Sequence, residues 1–81
     1  MKIKVRVVKK EVIEKSIDTE YIRLDAFLKL CGAVQTGGHA KNIIQSSLVK
    51  VNGEVCTMRG KKLRKNDTAE YENKVYKVTQ P

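Results

Sequence analysis

The chain has 81 residues, 41% of them hydrophobic, and 17 Lys and Arg against 9 Asp and Glu give a formal net charge of +8. One domain spanning 1–81 is expected at this length, with a modest core that removes about 60–65% of the unfolded chain's surface from water. No stretch approaches the roughly 18–20 apolar residues of a membrane span, and two cysteines make no disulfide framework, so a membrane-spanning helix and a stapled secreted scaffold are not expected. Lys2, Lys4 and Arg6 alternate with Ile3, Val5 and Val7, which is not the pattern of a cleavable leader. A reducing cytoplasm with Cys31 and Cys56 as free thiols is the expected setting. The charge is unevenly placed: residues 1–20 carry +2, residues 21–67 carry +6, and residues 68–81 balance at zero. A polyanion, nucleic acid before anionic membrane, is the expected partner, although a solubilising surface would show the same composition.

In chain order, residues 1–20 are rich in β-branched residues and alternate at the start, so residues 1–16 are expected to be a strand-like extension. Val12–Ile17 is its second strand-like run; with no turn residues before it, one long bent strand is equally consistent. A helix is predicted over about Leu24–Cys31, because Leu24, Phe27, Leu28 and Cys31 fall on one stripe and leave Arg23, Asp25 and Lys29 on the polar side. Gly32 ends it with a left-handed residue.

Thr36 is the expected cap of a second helix over about Gly37–Ser46, whose apolar face is Ala40, Ile43 and Ile44. Gly37 and Gly38 in its first turn cost up to about 1 kcal/mol each against alanine. Two compatible features would offset that: close packing of the helices, or approach of a phosphate to bare amides at a positive helix end. Leu48–Val51 follows as a strand with Val49 and Val51 on one face and Lys50 on the other. Asn52-Gly53 is a hairpin signal, with Val55–Met58 returning antiparallel. Arg59–Lys65 then sets five cations around Leu63. Asn66-Asp67 turns the chain, and Thr68–Tyr71 with Lys74–Val78 form a closing hairpin across Glu72-Asn73.

The ordered set Arg23-Leu24-Asp25, Phe27-Leu28, Ala40-Lys41, Ile43-Ile44 and Val49-Lys50-Val51-Asn52-Gly53 resembles the RNA-binding domain first described in ribosomal small-subunit protein four. The resemblance covers about Ile17 to Val78. Thr36-Gly37-Gly38-His39-Ala40-Lys41 is similar to the small stand-alone members of the YaaA/YbcJ type. It implies an α+β fold of the αL-motif kind: an αα hairpin packed on a small, mainly antiparallel sheet over residues 17–78. It further implies non-enzymatic binding of structured RNA, ribosomal RNA or a ribosome precursor, through a basic face formed by the two helices and the 59–65 loop. Relatives usually carry an attached catalytic domain, and none is read here. Three positions depart from the family: Gly37 replaces a usual basic residue, Ser47 the usual glycine after the second helix, and Asn66 a glycine. Asparagine tolerates the left-handed region, so the last change is mild.

Arg23, Lys41, Lys50, Arg59, Lys61 and Lys62 are the expected phosphate contacts, with Thr36, Gly37, Gly38 and His39 facing RNA from the start of the second helix. Arg64 and Lys65 are expected to be solvated. Of the four aromatic residues, Phe27 reads as core and Tyr71 and Tyr76 as core or edge; with Tyr21 they make no array for stacking unpaired bases, so recognition by shape is expected. Cys31, His39 and Cys56 lack the paired spacing of a structural zinc site, and no constellation of base and nucleophile stands out. No cofactor, metal, membrane or small-molecule substrate is therefore expected. Two other readings stay open: a helix-turn-helix DNA binder, and an adaptor docking on an acidic protein.

Overall fold

The structure is a computed structural model and describes residues 10–81; the alternating run at 2–7 lies outside the described residues. The architecture is α+β. A five-stranded sheet has the order β1-β7-β6-β3-β4, from β1 (Glu11–Ser16), β3 (Lys50–Val51), β4 (Glu54–Val55), β6 (Thr68–Tyr71) and β7 (Lys74–Thr79). Its pairs are antiparallel except β1 against β7, which run parallel with Ile13 beside Tyr76. Residues 11–16 thus join the main sheet. A separate two-stranded ribbon joins β2 (Ile22–Arg23) to β5 (Lys62–Leu63), where the sequence suggested only a charged loop.

The helices are α1 (Leu24–Leu30) and α2 (Gly37–Gln45). Leu24, Phe27 and Leu28 of α1 and Ala40, Ile43 and Ile44 of α2 are buried with Val49, Val51, Leu63, Ala69, Tyr76 and Val78 in one core. The helical hairpin therefore covers the sheet face that carries Val51, Ala69 and Tyr76. Period-two alternation sends Lys50, Glu70, Val75 and Lys77 to the opposite face. Cys31 closes α1, half-buried; burial pushes its thiol up to about 11, with Lys15 nearby pulling the other way, so it stays protonated at neutral pH. Both thiols are free.

Each helix ends in the same hydrogen-bonded hook. After α1, the Gly32 N–H donates to the Lys29 carbonyl (3.0 Å) and the Ala33 N–H to the Leu28 carbonyl (3.0 Å). After α2, the Ser47 N–H donates to Ile44 and the Leu48 N–H to Ile43, both at 3.1 Å. This geometry requires a left-handed residue, which is Gly32 (φ 78°) in the first and Ser47 (φ 64°) in the second. A side chain there carries a steric cost that glycine lacks. Ser47→Gly is expected to stabilise the protein by about 0.5–1 kcal/mol, raising the melting temperature by a few degrees in a thermal melt. The hairpin turns Asn52-Gly53 (φ 51° and 86°) and Glu72-Asn73 (φ 52° and 64°) both have the paired positive φ of tight two-residue loops.

Candidate nucleic-acid interface

The site begins at the amino end of α1. No side chain caps this helix; instead the Leu24 N–H donates to the Lys61 carbonyl (2.8 Å) and the Asp25 N–H to the Arg59 carbonyl (3.1 Å). Helix-end amides need acceptors, and here the basic loop supplies them, which fastens residues 59–61 across the start of α1. One step on, Ile22 pairs with Leu63 and Arg23 with Lys62. Leu63 is fully buried and Ile22 packs against the core, so alternation turns Tyr21, Arg23, Lys62 and Arg64 outward together.

The outward residues touch one another. The Lys62 ammonium lies 4.8 Å from the centre of the Tyr21 ring and the Arg64 guanidinium 5.7 Å from it, both within cation–π range. Arg23 reaches over Gly60, where a Cβ would meet its guanidinium at 3.7 Å, and pairs with Asp25 at 3.3 Å. That ion pair is exposed and holds Arg23 only weakly. Behind the ribbon, the Asn52 amide donates to Asp67 (3.1 Å), Asp67 accepts the Arg64 N–H (2.8 Å), and Asn52 accepts the Thr68 N–H (3.0 Å). This polar clasp sets the backbone direction at Arg64.

A shallow depression of about 290 Å³, lined by Arg23, Asp25, Ala26, Lys29 and Gly37, carries the basic surface from the ribbon to α2. Thr36 caps α2 by accepting the His39 N–H at 3.0 Å. A Cβ on Gly37 would meet nothing within 4 Å, so close helix packing is not what the glycine pair provides. Gly37, Gly38, His39 and Lys41 are exposed, with Lys41 one turn beyond Gly37 on the same side of the helix.

The ten sequence-chosen residues do not all share this surface. Arg23, Arg59 and Lys62 cluster where the loop crosses α1, and Gly37 with Lys41 continues the surface along α2. Thr36, Gly38 and His39 are exposed at the same helix start, but His39, two residues on from Gly37, stands on another side of the helix. Lys50 stands apart on the far face of the large sheet, between Val55 and Glu70. Lys61, next in sequence to Lys62, instead lines a groove with Val51, Asn52, Val55, Cys56 and Met58. Three residues join that the sequence did not single out as contacts: Lys29, Tyr21, and Arg64, which was expected to be solvated. The alternation Lys62-Leu63-Arg64 is the signal for the last. Among the described residues, no three His, Cys, Asp or Glu side chains are placed to hold a metal ion, and no helix is long and apolar enough to cross a membrane.

Residues 15–79 match the family model of the S4 domain. A relative from Bacillus subtilis (strain 168), named "Probable ribosome maturation protein RlbA", is 47% identical over 57 residues, which span 70% of this chain and 80% of that protein.

Proposed function

This chain belongs to the S4 domain family, and we propose that it binds folded RNA of the ribosome or of a ribosome precursor, without catalysing a reaction. The observation that carries the reading is the outward face of the β2–β5 ribbon, where Arg23, Lys62 and Arg64 stand side by side, backed by buried Leu63 and half-buried Ile22 and continuous with Lys29, Gly37 and Lys41 on the helical hairpin. Phosphates bound along that path exchange their condensed counterions for fixed cations, which makes binding tight and salt-dependent without reading sequence. The open first turn of α2, with no side chain on Gly37 or Gly38, adds amides that a phosphate can approach. A cytoplasmic location fits this partner, and the relative's name supports ribosome maturation as the process.

The test is a titration of the purified protein with folded ribosomal RNA fragments, matched duplex DNA and single strands at several salt concentrations. Submicromolar binding that prefers folded RNA is expected, with a log–log salt slope of about −3 to −5, as four to six neutralised phosphates would give. Equal, weak binding to every polyanion would overturn the reading and leave an acidic protein as the better partner.

A further inference from the structure

Phe27 is fully buried, Tyr76 is 4% exposed, and Tyr71 is half-buried beside Ala33 and Lys74. Tyr21 differs from all three: with Lys62 and Arg64 already in place over its ring, 39% of its surface still meets water. It is the aromatic residue that lies within the basic surface. The Thr19 hydroxyl donates to its carbonyl at 2.8 Å, and the ribbon that follows begins at the very next residue, so the ring is presented from fixed backbone.

We propose that Tyr21 is a stacking platform for one unpaired nucleobase, with Lys62 and Arg64 neutralising the phosphates on either side of that nucleotide. The inference rests on the RNA-binding reading above and narrows its ligand: a folded RNA that offers a bulged or looped-out base, rather than uniform duplex. A base in a duplex has both faces covered by its neighbours, so only an extruded one can lie on the ring. An aromatic platform serves nucleic acid when cations stand beside it, because every stacked base brings a phosphate on each side. Three residues on and beside the ribbon, Tyr21, Lys62 and Arg64, supply that arrangement. Tyr21 stands opposite Arg64 by continuation of the register, and Lys62 is the diagonal neighbour two positions along the same face. A single platform, in place of an array, limits the site to one base and leaves the surrounding contacts to the phosphates.

The experiment uses two RNA hairpins of equal length, one fully paired and one with a single bulged 2-aminopurine, titrated with wild type, Tyr21→Phe, Tyr21→Leu and Tyr21→Ala. Wild type and Tyr21→Phe are expected to bind the bulged hairpin about tenfold more tightly than the paired one and to quench its fluorescence. Tyr21→Ala and Tyr21→Leu should lose both the preference and the quenching while keeping the salt slope; the leucine variant retains apolar bulk should alanine loosen the ribbon. Salt-steep binding of both hairpins alike by wild type, weakened equally by Tyr21→Ala, would overturn the inference and make the ring a positioning group for Lys62 and Arg64. No salt-dependent binding of either hairpin would remove the RNA reading itself, and the platform with it.

Discussion

Reversing Lys62 and Arg64 together to glutamate is expected to lower affinity for folded RNA by about two orders of magnitude and to flatten the salt slope by about two. Each lost phosphate contact returns roughly one counterion to the complex, and each new carboxylate repels where an ammonium or guanidinium attracted. The fold should survive, because both side chains point out of the ribbon and the hydrogen bonds of β5 are made by its backbone. Losing the two contacts with the Tyr21 ring costs about 0.5–1 kcal/mol each at an exposed site, a drop of several degrees in melting temperature. The informative control is Lys50→Glu with Lys77→Glu. It brings the chain to the same net charge, but both residues lie on the sheet face turned away from the helices. Glu70 beside Lys50 and Glu14 beside Lys77 make that control slightly destabilising in its own right. If it weakens RNA binding as much as the ribbon pair does, net charge and not a located surface governs affinity.

What the sequence shows of this molecule follows the range of the interaction that makes each part. The helices are legible because their signals are local: the spacing of Leu24, Phe27 and Leu28, the Thr36 cap, and the Gly32 stop. Asn52-Gly53 and Glu72-Asn73 are legible for the same reason, as two-residue turns between strand-like runs. The partner of β1 is not, because its parallel pairing to β7 crosses some sixty residues and leaves no mark on either strand. Nor is the β2–β5 ribbon, whose strands are two residues each and are seated by buried Leu63 with Ile22 packed against the core beside it. Five cations around one leucine read as a basic contact loop, and the strand within it shows only once Leu63 is seen to be buried and paired with Ile22. The separation of Lys50 from the ribbon face is legible in the sequence, since Val49 and Val51 on the core face oblige it to point away from the helices. The role of the Gly37-Gly38 pair shows only in the folded chain, where a Cβ on Gly37 would meet open space, because a glycine that admits a neighbouring helix and one that leaves space open look alike in sequence.

Leu63→Ala tests the link between core and surface. Leu63 is fully buried, and truncating such a leucine costs about 2–5 kcal/mol through lost burial and the cavity left behind. A domain of this size has only about 4–12 kcal/mol to lose, so the melting temperature should fall by about 10 °C or more. The effect on binding should exceed what unfolding explains. Leu63 is the inward residue between Lys62 and Arg64, and with Ile22 it seats the whole ribbon on the core. When that seat is emptied, the two cations and Tyr21 lose their common plane even in molecules that remain folded. RNA affinity measured well below the variant's melting temperature is therefore expected to fall by several-fold, whereas Leu63→Met, which conserves volume and costs less than about 1.5 kcal/mol, should leave it unchanged. Wild-type affinity in a cold, folded Leu63→Ala protein would place the RNA on the helices alone. The buried leucine would then serve stability and not recognition.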